Sequence, residues 1–358
     1  MDRVKVAVVG CGSIAQGMHL PGLKEMEALG KAELVAVCDV LEPMAQSVAA
    51  QFEVPTYYTD LDTMLAAADF DVLVNLTIIQ NHFAVSLAAL KAGKHVYSQK
   101  PMTTTVEDAT ILVDEAKKRG LKLATAPEHP ISPANVSIGK LVAEGAIGRV
   151  NFAKVVSSHW GPEKQVGPAV DRRDSSHFYR IGSGPLYDMG VHGLSQITGI
   201  LGPAKRVSCV SGKTAPVRHY TGGTKQGQAI DVEVDDNTLL LLDFGDATFA
   251  FLDATYCLGA TLGPRLEIYG SDGVIALTGR PPKYTIQLYE LSTRDWREIE
   301  VPERGPVRDL GVQSLVDHLR EGLPLRLSGE RGRHLVEIMA KAPEAARLGR
   351  TMELETTF

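Results

Sequence analysis

Residues 4–17 read VKVAVVGCGSIAQG, an apolar β-branched run that turns through two glycines into a helical pattern. The first glycine permits a tight turn, and the second lets backbone approach an anion. A small residue three positions later lets the helix and the strand pack closely. Because a helix N-terminus attracts negative charge, the stretch predicts a cradle for a phosphate group, with glycines that only make a turn as the alternative. The predicted cradle residues are Gly10, Gly12, Ser13, Ile14 and Ala15.

The same alternation of strand and helix patterns continues to about residue 125. Further apolar runs read AELVAVCD, FDVLVNLT, KHVYSQKP and LKLATA, and helical patterns separate them. These runs are almost continuously apolar, as expected for parallel strands whose two faces are both covered by helices. Residues 1–125 are therefore predicted to form a doubly wound α/β domain.

Asp39 ends the second apolar run, at the position where a carboxylate can hold the ribose of a dinucleotide. There it could accept hydrogen bonds from both hydroxyls of an adenosine ribose, and it would repel a 2′-phosphate. Together with the glycine loop, Asp39 predicts a Rossmann domain that binds NAD, with NADP possible and less favoured. A carboxylate that only caps a turn is the alternative.

The pattern changes after residue 126. A helix near 133–145, a strand within GRVNFAKVVSSHW and a long polar loop over 161–183 precede a short helix, several strands with tight turns, and two final helical stretches. Turn-like Gly245-Asp246 and Asp272-Gly273 indicate antiparallel pairing. Residues 126–358 are predicted to form a second α/β domain, whose last helices could pack back toward the first.

Composition excludes several classes of protein. The net charge of −6 and the lack of a basic run argue against nucleic acid as a partner. No apolar run reaches the ~18–20 residues that cross a bilayer. The four cysteines form no CxxC pair, and the N-terminus enters a strand without a signal peptide. We therefore expect a cytoplasmic protein with reduced thiols and no metal site or membrane association.

Two further motifs give the chain a family resemblance. SQKP at 98–101 and GPLYDMGVH at 184–192, with the glycine loop, resemble the Gfo/Idh/MocA family of NAD(P)-dependent sugar and cyclitol oxidoreductases. NHFAVSLAALKAGKHVYSQKP and LEIYGSDGVIAL are also similar to that family. The resemblance implies a Rossmann domain followed by an α/β domain with a large, open, mostly antiparallel sheet. That sheet commonly mediates homo-oligomers, so a homodimer or homotetramer is expected.

The resemblance also implies catalytic residues. The family's Glu-Lys-Pro motif matches Gln99, Lys100 and Pro101, so the lysine is kept and the glutamate is replaced by an amide. Gln99 retains hydrogen-bonding capacity and removes a negative charge from beside the ammonium. The family's glycine-rich turn and Asp-x-Gly-x-His motif match residues 182–192, which supply Asp188 and His192.

Oxidation of a secondary alcohol suggests a role for each of these three residues. Nicotinamide takes the hydride and the protein must handle the proton. His192 is the predicted base, since imidazole gains and loses a proton near neutral pH. Asp188 would hydrogen-bond the same hydroxyl or orient the imidazole, and Lys100 would stabilise charge on the oxygen. A core histidine, an aspartate at a helix start and a surface lysine are the alternatives.

The remaining predictions concern contacts with coenzyme and substrate. Thr77, Asn81 and His82 follow a strand at its carboxyl end, where such sheets bind ligands. Asn81 and His82 match a family position near the nicotinamide, although His82 could equally be a residue that begins a helix. Gln99 and Lys100 are predicted to contact the coenzyme as well. Polar and aromatic side chains near the Asp188 helix suit a polyhydroxylated ligand, or a uronate beside the arginines, although a solvated loop would look similar. The predicted substrate contacts, besides Lys100, Asp188 and His192, are Glu128, His159, Trp160, Arg172, His177 and Tyr179.

Three other functions remain open from the sequence. A glycoside hydrolase or lyase could use tightly bound NAD for transient oxidation within each turnover. A dinucleotide-binding sensor without turnover would need none of the catalytic residues. A metal enzyme that uses Asp188 and His192 lacks a third ligand at recognisable spacing.

Overall fold

A computed structural model describes residues 3–164, 174–280 and 283–358. The chain forms two compact units. The first contains Met1–Ser132, Glu303–Val336 and Thr357–Phe358, and the second contains Pro133–Pro302 and Glu337–Thr356. The division into a coenzyme domain over 1–125 and a substrate domain over 126–358 concerns the roles of the two parts and stays a prediction.

The first unit is built on a six-stranded sheet whose strand pairs are all parallel. Its order is β3-β2-β1-β4-β5-β6, so the direction of winding reverses between β1 and β4. Ligands of such sheets bind at the carboxyl ends of the strands beside this reversal. The predicted doubly wound Rossmann fold is confirmed. The strands are β1 (Val4–Val9), β2 (Ala32–Cys38), β3 (Thr56–Tyr58), β4 (Val72–Asn75), β5 (His95–Ser98) and β6 (Leu123–Thr125).

Helices cover this sheet, and several begin at a side-chain cap. Asp60 accepts a hydrogen bond from the backbone of Thr63, and Thr105 accepts one from the backbone of Asp108. Such caps satisfy the otherwise unpaired N–H groups of a first turn. The helices are α1 (Leu20–Ala28), α2 (Glu42–Gln51), α3 (Leu61–Ala67), α4 (His82–Lys91) and α5 (Val106–Lys118). The helical segment that follows the glycine loop includes a π-helical turn over Ala15–His19 before α1.

The second unit is built on a nine-stranded sheet in the order β16-β15-β14-β13-β7-β12-β11-β8-β17. Only β7 and β12 pair in parallel, which confirms the predicted large and mostly antiparallel sheet. A π-helical turn over Leu186–Gly190 leads into α7, and β9 and β10 form a separate hairpin. The elements are α6 (Pro133–Ala143), β7 (Val150–Val156), α7 (Val191–Leu201), β8 (Arg206–Gly212), β9 (Val217–His219), β10 (Ala229–Asp231), β11 (Asn237–Gly245), β12 (Thr248–Thr255), β13 (Leu266–Gly270), β14 (Gly273–Arg280), β15 (Lys283–Glu290) and β16 (Asp295–Ile299).

The C-terminal segment contributes to both units. Helix α8 (Leu310–Glu321) belongs to the first unit, where Leu315 and Val316 are fully buried in the core that contains Val6 and Val8 of β1. Helix α9 (Gly329–Leu348) is divided between the units, and β17 (Met352–Glu353) is an edge strand of the second. None of the helices in the described ranges is long and apolar enough to cross a membrane.

Close packing fixes the position of α7 on its sheet. A Cβ at Gly193 would lie 2.8 Å from the side chains of Leu252 and Ser157, so only glycine allows this approach. Gly190, one turn earlier, lies equally close to Ala254 of β12. Gly190 belongs to the motif that contains Asp188 and His192, and Gly193 follows it directly. The motif therefore sets how closely these two residues lie to the sheet.

Candidate active site

The glycine loop after β1 has the geometry of an anion cradle. Gly10 has a φ of +93°, and a Cβ there would lie 2.6 Å from the carbonyl oxygen of Leu76. A side chain at this position would therefore collide with the chain that follows β4. A Cβ at Gly12 would meet no atom within 4 Å, so the loop is open on that side. Ser13 and Ile14 are exposed, whereas Ala15 is fully buried as helix packing requires.

Asp39 is bonded to this loop. Its Oδ2 accepts a hydrogen bond from the backbone N–H of Cys11 at 2.8 Å, and its Oδ1 accepts one from Leu41 at 3.0 Å. The carboxylate thus lies beside the glycines, and it also caps the turn that follows β2. The turn-capping role that the sequence offered as one alternative is therefore present, and contact of Asp39 with a ribose stays a prediction. Burial, followed by the charge of Asp39, raises the pKa of the neighbouring Cys11 thiol to about 12, so this thiol stays protonated.

The residues after β4 surround a buried amide. Asn75 donates hydrogen bonds to the carbonyl oxygen of His82 and to Ser86, both at 3.0 Å, and accepts one from the Thr77 hydroxyl at 2.7 Å. His82 begins α4 and is 1% exposed. Its Nδ1 lies 2.7 Å from the Pro101 carbonyl and its Nε2 lies 3.0 Å from that of Thr77. Both ring nitrogens are thus engaged by backbone, and burial lowers the pKa of His82.

His82 therefore ties the residues after β4 to those after β5 and has the character of a helix-start core residue. Asn81 is exposed at the end of a short 3₁₀ turn, and Thr77 is half-buried. The contacts of these residues with nicotinamide stay a prediction.

Lys100 follows β5, and its backbone is held by its neighbour. Gln99 Oε1 accepts a hydrogen bond from the backbone N–H of Lys100 at 3.0 Å. Gln99 Nε2 lies 2.9 Å from His19 Nε2, and His19 Nδ1 lies 2.7 Å from Asp309 Oδ2. Sequence reasoning missed both His19 and Asp309. The histidine in an apolar helical pattern was a signal for the first, whereas Asp309 lies 290 positions from it and gave none.

Glu128 also belongs to the first unit. Its Oε1 accepts a hydrogen bond from Arg304 at 3.1 Å, while its Oε2 is buried without a partner among the described residues. Burial raises the pKa of this carboxyl group, and the nearby Arg304 opposes the shift. A buried and unpaired carboxyl oxygen is available for a ligand hydroxyl.

In the second unit, Asp188 lies on the π-helical turn before α7. Its Oδ2 accepts a hydrogen bond from the hydroxyl of Tyr256 at 3.0 Å, and His159 Nε2 lies 3.8 Å away. The His159 and Tyr256 rings stack with their centroids 5.0 Å apart. His192 is half-buried in the first turn of α7. Tyr256 was missed because it lies at the end of β12, 68 positions from Asp188. Burial and the Asp188 charge raise its pKa.

A buried charged cluster supports Tyr256. Arg218 donates to the Tyr256 carbonyl at 3.3 Å, to Glu163 at 3.0 Å and to Asp236 at 2.8 Å. Glu163 and Asp236 are almost fully buried, and Glu163 also accepts a hydrogen bond from Tyr179. Burial alone would lower the pKa of Arg218, but its hydrogen bond to Asp236 leads the contributions that raise it. The guanidinium therefore stays charged and holds both carboxylates.

The other predicted substrate residues differ in position. Trp160 is 50% exposed and offers an indole face. His177 is exposed, lies over Phe178 and places its Nδ1 2.6 Å from the Asp174 carbonyl. Tyr179 is fully buried, so its hydroxyl serves the charged cluster. Arg172 lies outside the described residues.

The structure thus brings the predicted residues together in two groups. In the first unit Asp39 joins the glycine loop, and Gln99 holds the backbone of Lys100. In the second unit Asp188 and His159 meet at Tyr256. Within residues 3–164, 174–280 and 283–358 no group of three or more His, Cys, Asp or Glu side chains is arranged to hold a metal ion.

A dinucleotide fold with this two-part motif defines an oxidoreductase class, and comparison with known proteins identifies the family. Residues 4–126 match an oxidoreductase family with an NAD-binding Rossmann fold, and residues 136–276 match the Gfo/Idh/MocA C-terminal domain. The chain therefore belongs to the Gfo/Idh/MocA family and is an NAD(P)-dependent oxidoreductase.

Several relatives match along almost the whole chain. D-glucoside 3-dehydrogenase of Escherichia coli is 26% identical over 98% of this chain and 97% of its own. An NADP(+)-dependent scyllo-inositol 2-dehydrogenase of Bacillus subtilis is 24% identical over 99% and 97%. Among solved structures, a levoglucosan dehydrogenase in complex with NADH and L-sorbose has a TM-score of 0.85 at 20% identity, covering 99% of each chain.

Proposed function

We propose that this protein transfers a hydride between a nicotinamide coenzyme and a secondary alcohol or carbonyl of a sugar, sugar acid or cyclitol. The observation that carries the proposal is the glycine loop, which is open at Gly12 and hydrogen-bonded to Asp39. In the same chain, hydrogen bonds hold the backbone of Lys100 and the carboxylate of Asp188. The names of the relatives, which are glucoside, inositol and levoglucosan dehydrogenases, support the substrate class.

The chain's own side chains would handle the proton and the charge. Bound nicotinamide would supply the hydride acceptor or donor. His192 takes the hydroxyl proton in oxidation and returns it in reduction. Lys100 donates to the same oxygen and stabilises its developing negative charge. Asp188, held by Tyr256 at 3.0 Å, orients the substrate hydroxyl or the imidazole.

The loop and Asp39 would bind the coenzyme. The N–H groups at the start of the helix after Gly12 would hold the pyrophosphate, and the half-buried Asp39 carboxylate would accept from the ribose hydroxyls. A carboxylate there repels a 2′-phosphate, so we assign NAD in preference to NADP. One relative's name specifies NADP(+), so the affinities for both coenzymes are to be measured by titration.

The predicted substrate residues offer polar groups and one aromatic face. Glu128 offers a buried carboxyl oxygen, His159 lies against Asp188, and Trp160 presents a half-exposed ring on which a sugar face can stack. Asp174 accepts hydrogen bonds beside His177, so this part of the chain is polar as well. We further propose a homodimer or homotetramer assembled through the open sheet. A cytoplasmic location suits the four unpaired thiols.

Two alternatives are less well supported. A hydrolase or lyase that recycles its own NAD would release no net NADH, and a sensor would show no turnover. The relatives named above are dehydrogenases, which favours net oxidoreduction.

The test measures reduced nicotinamide by its absorbance with a panel of aldoses, uronates, inositols and keto-sugars, in both directions and with both coenzymes. We expect Lys100→Met and His192→Ala each to lower kcat by roughly 100-fold or more while NADH still binds. Lys91→Met and His219→Ala, at exposed positions, are the matched controls. Near wild-type turnover in Lys100→Met or His192→Ala would remove that residue from the mechanism.

A further inference from the structure

Three buried or half-buried side chains link the backbone of Lys100 to the start of α8. Gln99 bonds the Lys100 N–H through Oε1 and meets His19 through Nε2, and His19 meets Asp309 through its other nitrogen. The three distances are 3.0, 2.9 and 2.7 Å. His19 and Asp309 are both 0% exposed, so water does not replace the contact between them.

The donor and the acceptor of each of these three hydrogen bonds follow from the backbone N–H of Lys100. A backbone N–H only donates, so the Gln99 atom that faces Lys100 must be the amide oxygen. The amide NH₂ then faces His19 Nε2, which must accept. A neutral imidazole carries one proton, and this proton therefore lies on Nδ1, from which it is donated to Asp309. In this arrangement His19 Nδ1 donates and Asp309 Oδ2 accepts.

The packing around Asp309 shows that its position is built into the fold. A Cβ at Gly22 of α1 would lie 2.5 Å from the Asp309 Cβ, and a Cβ at Gly311 would lie 2.1 Å from the Tyr97 hydroxyl oxygen. Asp309 Oδ1 accepts from the backbone of Val312 at 3.0 Å and so caps α8. Two close approaches and a cap therefore fix the carboxylate against His19.

We propose that Gln99, His19 and Asp309 are positioning residues, a hydrogen-bonded chain of fixed polarity that holds the backbone of Lys100 for its reaction. This proposal rests on the proposed function for the role of Lys100, whereas the polarity rests on the contacts alone. It also explains why an amide stands at residue 99. A glutamate there would place a second acceptor opposite His19 Nε2, and the buried chain would need an additional proton.

The polarity can be reversed by two substitutions that conserve shape and net charge. In Gln99→Glu an acceptor faces the accepting Nε2. In Asp309→Asn the new amide faces the Nδ1 proton, while its oxygen can still cap Val312. In the double variant the new amide at position 309 donates to Nδ1, Nε2–H donates to the new glutamate, and that glutamate accepts from Lys100. At a pH that keeps His19 neutral, each single variant has one mismatch, and the double variant has none.

The test is a double-mutant cycle on the whole protein. We expect each single variant to lower Tm by about 4 °C and kcat by about tenfold, and the double variant to recover most of both losses. Long-range ¹⁵N–¹H spectra of histidine-labelled protein, with the His19 signal assigned through His19→Asn, should show a neutral ring protonated at Nδ1 in the wild type and at Nε2 in the double variant. NADH affinity should stay within about threefold throughout.

The proposed hydrogen-bonded chain would be contradicted by additive losses of Tm in the double variant. It would also be contradicted by a wild-type His19 that is protonated at Nε2 or at both nitrogens. Recovery of Tm without recovery of kcat would overturn its role in positioning Lys100. If the wild type turns over no substrate of the panel, the proposed function fails. The spectra and the Tm cycle then still decide the polarity, and protection of the Lys100 amide against hydrogen exchange, lowered in each single variant and regained in the double, decides the positioning.

Discussion

Asp39 illustrates how one side chain can connect two elements and still serve a ligand. Its two oxygens each accept one backbone N–H, at 2.8 Å and 3.0 Å, which leaves a lone pair on each oxygen. The bond to Cys11 places the carboxylate beside the glycine loop, where the ribose of a bound dinucleotide would lie. We therefore expect the charge of Asp39 to determine which coenzyme binds, whereas its hydrogen bonds to the backbone hold the loop in its conformation.

Asp39→Asn removes the charge and keeps one acceptor, so one of the two backbone hydrogen bonds is lost as well, a loss that affects both coenzymes alike. We expect NAD to bind about tenfold more weakly, since a hydrogen bond to a charged group is lost, while NADP binds equally well or more tightly. Fluorescence titration with both reduced coenzymes measures this. Asp62→Asn, at an exposed position of the same unit, controls for net charge. Equal weakening for the two coenzymes would remove Asp39 from ribose recognition.

Some residues of the candidate site could be predicted from the sequence and others could not, and the difference has a physical reason. The glycine loop, Lys100 and the Asp188 motif are local patterns in which neighbouring positions carry the signal. His19, Asp309 and Tyr256 act through partners far along the chain, and their roles arise only when the fold buries them together. Tyr179 shows the converse, because a polar loop residue turned out to be fully buried.

At the scale of elements, the helix after the glycine loop and the helix that contains His192 each include a π-helical turn. One spans Ala15–His19 and the other spans Leu186–Gly190, and each leads directly into an α-helix. A π turn accommodates one more residue than an α turn and so redirects the side chains within it. The 3.6-residue periodicity that predicted these helices has no signal for such a turn. The sequence therefore predicted the helices and missed how they begin.

Glu337 of α9 fastens the residues that follow β17. Its Oε1 accepts from the backbone of Glu355 and its Oε2 from that of Thr356, both at 2.8 Å, and Lys341 lies 2.8 Å from Oε1. The side chain is 2% exposed. Burial alone would raise the pKa of Glu337, but Lys341 and Thr356 lead the interactions that lower it to about 2. The ionised carboxylate therefore stabilises the C-terminal segment.

This lowered pKa predicts an acid-sensitive contribution to stability. The unfolded value is about 4.5, so the stabilisation is complete above pH 4.5 and is lost as the pH falls toward about 2. Its full size is about 3 kcal/mol. We expect Glu337→Gln to lower the free energy of unfolding at pH 7 and to flatten its fall between pH 5 and pH 3, as measured by urea unfolding. Glu344→Gln, exposed on the same helix, should change neither, and an unchanged acid slope in Glu337→Gln would contradict the prediction.

At the scale of the whole molecule, whether a strand could be predicted from the sequence depended on its length and its burial. The five strands predicted in the first unit are apolar and buried, whereas the missed β3 is a three-residue edge strand with exposed side chains. The missed β9, β10, β16 and β17 are likewise short and mostly polar or lie at an edge. The return of α8 to the first core depends on contacts across some 300 positions, which no local pattern encodes.

The second unit exposes an apolar row on one face of its sheet. Leu241 pairs with Phe251, and Phe249 pairs with Phe152, so the four side chains lie on the same face of β11, β12 and β7. Leu241 is 50% exposed and each phenylalanine is 40% exposed. The Phe152 ring continues the row by stacking on Tyr269 at 4.3 Å. Contiguous exposed apolar surface of this kind is characteristic of an interface between subunits.

We therefore expect the wild type to form a homodimer or homotetramer at micromolar concentration, and charge on this row to dissociate it. Leu241→Glu combined with Phe251→Glu would bury two unpaired carboxylates in the contact and weaken association by at least about 100-fold. Light scattering coupled to size-exclusion chromatography, over a dilution series, gives the mass of each form. Val136→Glu, on the exposed side of α6, makes the same change elsewhere in the unit and should leave the mass unaltered. A monomeric wild type, or a double variant with unchanged mass and native circular dichroism, would show that this face is not the interface.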